Sequence, residues 1–168
     1  ITLQNYPTID EYRASEVVIE NLKVSKDNIL GSIDGSYEAI EEQIDLSTIA
    51  VCSEAVGILQ VLKDSTNDYC KNRKQFGQPI GANQVIKHRL VDMMIEYEQA
   101  KSILYMAVTA DLSNPIERRK AASAAKARIG KAIKFVGENA IQLHGGMGVV
   151  DEYMICLLYT SPSPRDNR

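Results

Sequence analysis

From residue 46 to residue 62 the chain reads Leu-Ser-Thr-Ile-Ala-Val-Cys-Ser-Glu-Ala-Val-Gly-Ile-Leu-Gln-Val-Leu, with Glu54 its only charged side chain. Leu46, Ile49, Ala50, Val51, Cys52, Ala55, Val56, Ile58, Leu59, Val61 and Leu62 fall almost all round a helical wheel. A helix with so little polar face has to be covered on nearly every side. The stretch therefore predicts a buried helix and, with it, a helical bundle. Its apolar pattern decays through Asp64, Asn67, Asp68, Lys71 and Arg73 and stops at the turn Phe76-Gly77-Gln78-Pro79.

Two more helices follow. Ile86, Leu90, Met93, Met94, Tyr97, Leu104, Ala107 and Val108 make one stripe over about residues 83–112 and predict a face turned to a core. Asn114-Pro115-Ile116-Glu117 is a restart: asparagine caps exposed amides, proline suits the first helical position, and Glu117 stands where it completes a capping box. The third stripe is Ala125, Ile129, Ala132, Ile133, Val136, Ala140 and Leu143, and its alanines allow close helix approach. The fold class is mainly α, an up-and-down bundle whose fourth member is cut short or lies beyond Tyr153.

Residues 1–35 read differently. Val17, Val18 and Ile19, then Leu22 and Val24, form short β-branched runs between the turn formers Pro7, Asn21, Asn28 and Gly31. They predict the last strands of an incomplete β domain ahead of a helical domain at 36–155. In residues 156–168, Ser161-Pro162-Ser163-Pro164 cannot continue a helix. This stretch is expected to be an atypical tail, non-native or disordered.

A chain of 168 residues, 45% hydrophobic and 24% charged, can bury one sizeable core. Its net charge of -3 gives no broad field for nucleic acid or an anionic membrane, so an anionic ligand has to be held by local groups. Cys52, Cys70 and Cys156 show no Cys-x-x-Cys spacing, which suggests neither a disulfide framework nor a metal site, and the expected location is the reducing cytoplasm. No secretory leader is read at the start, and no uninterrupted apolar run approaches the roughly 18 residues of a membrane span.

Two helix ends draw attention. Arg73-Lys74-Gln75-Phe76-Gly77-Gln78-Pro79-Ile80-Gly81-Ala82 closes the first helix, and Gln142-Leu143-His144-Gly145-Gly146-Met147-Gly148 closes the third. Arg73 offers a planar fork of donors that grips a diphosphate with two bonds. Glycines let a backbone approach a ligand that a side chain would hold off, and Gln142 both donates and accepts. The same residues also serve as plain helix stops: a cation and glycines at helix C-termini, with Phe76 as a core anchor. His88 reads as partly exposed and His144 as a helix-end or subunit-contact residue. Asp151 and Glu152 read as helix-start acids.

Arg-x-Gln-Phe-Gly followed by Gln-x-x-Gly-Gly-x-Gly, with two amphipathic helices between, resembles the C-terminal domain of the acyl-CoA dehydrogenases over about residues 1–155. The wording from Gln142 to Tyr153, with Arg73 to Gly77 and His88-Arg-Leu-Val-Asp92, is most similar to the small subunits of pimeloyl-CoA dehydrogenase-like and steroid-degrading members. The resemblance implies a flavoenzyme. Arg73, with Gln75 and Phe76, would contact the FAD of a neighbouring subunit, and Gln142, Gly145 and Gly146 the same cofactor's adenosine diphosphate half. Gln84 is a further candidate contact. The implied partners are an acyl-CoA substrate, an electron-transfer flavoprotein or similar acceptor, and further copies or subunits in a homo- or hetero-oligomer.

The implied reaction takes the proton α to the thioester with a carboxylate base while hydride leaves the β-carbon for the flavin. In many members the base is a glutamate on the loop after the position where this chain turns into Ser-Pro repeats; in others it lies near the start of the first bundle helix. Here that place reads Asp45-Leu46-Ser47-Thr48, with serine where the glutamate would be and threonine where an arginine often holds substrate. Asp45 is nearby but off register. Glu54, among apolar neighbours, is a candidate raised-pKa carboxylate or, by preference, a buried structural acid. The catalytic residue is otherwise unassigned. Two readings result: an FAD-dependent dehydrogenase subunit that is inactive alone, or a non-catalytic helical assembly module.

Overall fold

The computed structural model describes residues 1–8, 13–32 and 35–150. They divide into two compact units, one up to Ile40 and one from Glu41 onward. In the first unit, strands β1 (Thr2–Pro7) and β2 (Arg13–Val18) pair antiparallel, with Thr2 opposite Val18 and Pro7 opposite Arg13. Leu22 and Val24, expected in strands, lie in irregular chain before a short 3-10 turn at Lys26–Asn28. Asn21 with φ 53° and Gly31 with φ 83° turn the backbone too sharply for extended pairing there.

The second unit is the bundle. Helix α1 (Ser36–Asn72) leads through a two-residue hairpin, β3 (Lys74–Gln75) and β4 (Gln78–Pro79), to α2 (Gln84–Thr109), and a short turn leads to α3 (Pro115–His144). Helices α2 and α3 run antiparallel. Arg89 donates to Asn139 at 3.1 Å and Arg128 to Glu96 at 2.6 Å, so rising numbers on one meet falling numbers on the other. α1 is parallel to α3, since Asp45 meets Arg118 and Tyr69 meets His144.

The alanines of α3 let α2 approach closely, while α1 stands further from both and is reached by larger side chains. Leu59 and Leu62 of α1, Met93 of α2, and Ile129 and Val136 of α3 are fully buried in the gap, with Ala125, Ala132 and Ala140 beneath them. Truncating a buried leucine of this kind costs about 2–5 kcal/mol.

Four expectations change here. α1 is covered on one face only: Ile49, Cys52, Val56, Leu59 and Leu62 are buried, whereas Val51 and Val61 are exposed. With few charges among scattered Ser, Thr, Gly and Gln, α1 is also long and apolar enough, by length and composition, to cross a membrane; 22% of the window that passes is buried. Counting only uninterrupted apolar residues missed this. On α2, Met94 and Val108 turn out exposed. Met94 joins Val91, Ile95, Ile103 and Met106 in an open apolar groove of about 630 Å³ flanked by Arg128.

The last change concerns the start of α3. Asn114 caps it as expected, its side-chain oxygen accepting from Ile116 N at 3.0 Å and Glu117 N at 3.4 Å. The reciprocal half of the capping box is not made. Asn114 N–H donates to the Asp111 carbonyl and the Glu117 carboxylate accepts from Lys120 at 3.0 Å. Tyr153, Asp151, Glu152, Cys156 and residues 156–168, with the fourth-helix and atypical-tail expectations, lie outside the described residues.

Candidate functional site

Parallel α1 and α3 end at the same end of the bundle, and their ends touch. Tyr69, one turn before Arg73, donates its hydroxyl to the carbonyl of His144 at 3.4 Å. The two rings stack with centroids 4.3 Å apart and planes inclined by 28°. α2 starts at this end too, so Arg73, Gln75, Phe76, Gln84, Gln142, Gly145 and Gly146 all belong to one rim of the bundle.

Arg73 directly follows α1. Its N–H donates to the Tyr69 carbonyl at 2.8 Å and its carbonyl accepts from Ile80 N at 2.9 Å, which fixes the root of the hairpin and leaves the guanidinium exposed. Gly81 continues this junction, for a Cβ there would lie 2.9 Å from the Cys70 carbonyl. Gln75 is exposed, its amide donating to the Lys74 carbonyl at 2.9 Å. Phe76 and Gly77 form the turn with φ 55° and 83°, the mirror-image turn that matches strand twist. Phenylalanine in the left-handed region costs about 1–2 kcal/mol, and Phe76 is fully exposed. That removes the reading of Phe76 as a core anchor. Positive φ and full exposure coincide in this one aromatic residue.

On the other side of the rim Gln142 is exposed. Gly145 caps α3 with φ 61° and ψ -138°, a conformation open to glycine, and its N–H donates to the carbonyls of Gln142 and Ile141. Gly145 therefore gives a ligand close access to the backbone and no free donor. At Gly145 and Gly146 an added Cβ would meet nothing within 4 Å, so the bend faces open space. Gly148 is the opposite case: its Cβ would lie 2.7 Å from the Ile141 carbonyl and 3.1 Å from His144 Cβ. The bend is closed inside and open outside. An exposed guanidinium, an amide and a backbone without side chains suit an anionic diphosphate, and an exposed aromatic ring beside them suits a stacked base.

His144 is 3% exposed, and its Nδ1 lies 2.8 Å from the Ala140 carbonyl. Burial pushes its pKa below the usual histidine value, with the bond to Ala140 opposing. His88 is exposed. Cys52 and Cys70 are buried free thiols, and burial pushes both up. Among the described residues no group of His, Cys, Asp or Glu is placed to hold a metal ion.

The carboxylates expected nearer the chemistry stand elsewhere. Glu54 is exposed, which corrects its reading as a buried acid: it occupies the uncovered side of α1. It lies nineteen residues before Arg73, roughly 28 Å along the helix. Asp45 pairs with Arg118, Oδ2 to Nε at 3.5 Å, and Arg118 also donates to the Leu112 carbonyl at 2.9 Å. Sequence reasoning passed over Arg118 and Tyr69, and read Gly148 within the glycine motif without its packing role. A cation in the first turn of α3, against the helix dipole, was the available signal for Arg118.

Residues 35–161 match the family model described as acyl-CoA dehydrogenase, C-terminal domain. The chain belongs to the acyl-CoA dehydrogenase family. Among the relatives of this acyl-CoA dehydrogenase domain, the caffeyl-CoA reductase-Etf complex subunit CarC of Acetobacterium woodii is 32% identical over 145 residues, covering 86% of this chain and 38% of the relative. The mitochondrial short-chain specific acyl-CoA dehydrogenase of Homo sapiens is 32% identical over 139 residues, covering 82% and 33%. The solved glutaryl-coenzyme A dehydrogenase glutaryl-CoA complex superposes with a TM-score of 0.83 at 26% identity, over 94% of this chain and 40% of that one. The domain thus spans well under half the length of the curated relatives it matches.

Proposed function

We propose that this domain is part of a flavoprotein subunit acting on acyl-CoA thioesters, and that its rim holds FAD bound mainly by an adjoining protomer. In that reading Arg73 grips the diphosphate, Gln75 and Phe76 flank the adenosine half, and Gln142, Gly145 and Gly146 approach it from α3, with Gln84 at the border. FAD held there would supply the hydride acceptor for α,β-dehydrogenation of the thioester. The domain binds and orients. With Asp45 committed to Arg118 and Glu54 far from the rim, we assign the base to a carboxylate outside the described residues.

The convergence of the α1 and α3 ends through Tyr69 and His144 is what supports this most. An assembly module would need the same caps and could use an outward Phe76 as a subunit contact, so flavin binding is what separates the two readings. The named Etf complex subunit among the relatives supports an electron-transfer flavoprotein as acceptor, and the open apolar groove on α2 supports an oligomer. The narrower likeness to two-subunit pimeloyl- and steroid-type enzymes rests on motif wording.

Arg73→Ala in a full-length subunit tests the reading. A bidentate charged bond contributes about 1.5–3 kcal/mol, so the FAD dissociation constant should rise by roughly ten- to a hundredfold with the melting temperature of the FAD-free protein unchanged. Unchanged flavin affinity removes the site.

A further inference from the structure

The contact that joins the two helix ends is made by residues that are not themselves candidates for touching the cofactor. We propose that Tyr69 and His144 are positioning residues: their ring stack latches the end of α1 to the end of α3 and sets where the Gly145-Gly146 bend stands relative to Arg73. This rests on the FAD reading of the rim and goes beyond it.

Each half of the latch is tied to one half of the rim. Tyr69 precedes Arg73 by four residues, one helical turn on the same face, and its carbonyl holds the Arg73 N–H at 2.8 Å. His144 is the last residue of α3 and is bonded covalently to Gly145. Between them run the stacked rings, 4.3 Å apart, and the Tyr69 hydroxyl on the His144 carbonyl.

The imidazole is fixed on its own side as well. A carbonyl only accepts, so the 2.8 Å contact with Ala140 puts the ring proton on Nδ1 and sets the ring plane that Tyr69 stacks on. Gly148 packs against the Ile141 backbone and His144 Cβ so closely that a side chain there would force the backbone to shift. The bend is therefore pinned from inside by His144 and Gly148, while its outer surface stays open. A site built from two helix ends depends on such support, because a displacement of about 1 Å is enough to weaken a positioned contact strongly.

The test measures the FAD dissociation constant of the full-length subunit by flavin fluorescence, well below each variant's melting temperature. Tyr69→Leu removes the stack and should weaken FAD by roughly ten- to a hundredfold. Tyr69→Phe keeps the ring, gives up the hydroxyl with its 3.4 Å bond to the His144 carbonyl, and should restore affinity to within about threefold. Equal behaviour of the two variants, whether both tight or both weak, overturns the latch. Should Tyr69→Leu fail to fold, Gly148→Ala decides: it changes neither ring and no candidate FAD residue but forces the bend to move, so unchanged affinity again overturns the proposal. Arg73→Ala measured alongside separates the two claims. If Arg73 matters and Tyr69 does not, the latch falls alone; if Arg73 does not matter, the site itself falls.

Discussion

Asp45→Ala tests whether the acid nearest the family's base position belongs to the scaffold. Asp45 and Arg118 lie 3.5 Å apart, with 14% and 5% of their side chains exposed. At that distance two unit charges attract by roughly 4–5 kcal/mol at an effective dielectric of about 20. Desolvation cancels much of this, but removing one partner leaves the other charge buried and typically costs about 3–5 kcal/mol. Two features favour the lower end. The Nε and Oδ2 atoms meet without hydrogen-bond geometry, and Arg118 keeps its bond to the Leu112 carbonyl. A loss of about 3 kcal/mol follows, or roughly 6–12 °C in melting temperature for a chain of this size. Urea unfolding of Asp45→Ala, Arg118→Met and the double variant should give a coupling above about 1 kcal/mol. A single-variant loss under about 0.5 kcal/mol, or no coupling, refutes the structural role. So does a thousandfold fall in turnover for a folded Asp45→Asn enzyme, the size expected of a lost general base at about 10²–10⁴.

Two further outcomes are expected. His144 has a folded-state pKa held below its ordinary 6.5 by burial. As pH falls through that ordinary value the unfolded chain takes up a proton that the folded bundle refuses, so stability present above about 6.5 is lost progressively toward the lower folded pKa. Melting temperature against pH should show that decline and His144→Gln should flatten it; a flat wild-type profile contradicts the burial argument. Phe76→Gly relieves a left-handed residue worth about 1–2 kcal/mol and adds about 0.5–1 kcal/mol of unfolded-chain entropy. It should leave the bundle as stable or slightly more stable while weakening FAD, and a marked drop in melting temperature would show that Phe76 packs after all.

The helices were legible because period, caps and breakers agree. Asn114-Pro115 starts α3 where expected, and Gly145 ends it. What could not be read is which apolar residues face the bundle. Met94 and Met93 are adjacent in sequence, yet Met93 is fully buried and Met94 is 55% exposed, because α1 covers only one side of α2. A surface left for a partner has the same composition as a core, so Val51, Val61 and Met94 look no different from Leu59. The rim was legible as two motifs, and its convergence was not. Tyr69 carries no motif, and a stack between residues seventy-five apart comes from the parallel course of α1 and α3.

That parallel course also decides how the rim can hold an anion. Both α1 and α3 present their C-terminal carbonyls there, each end equivalent to roughly half a negative charge, while α2 presents one N-terminal end of roughly half a positive charge. The helix ends alone therefore repel a diphosphate slightly. Arg73, added just past the end of α1 and flanked by the exposed Lys71 and Lys74, reverses the sign locally in a chain whose net charge is -3. Lys71 is in part offset by Asp68, 3.8 Å away. The guanidinium is then the group on which the sign of the rim depends, and the glycines opposite it contribute access rather than attraction. On the proposed FAD reading, this division of labour is what would make the proposed latch matter: the attracting group follows α1 and the space for the ligand is shaped by α3.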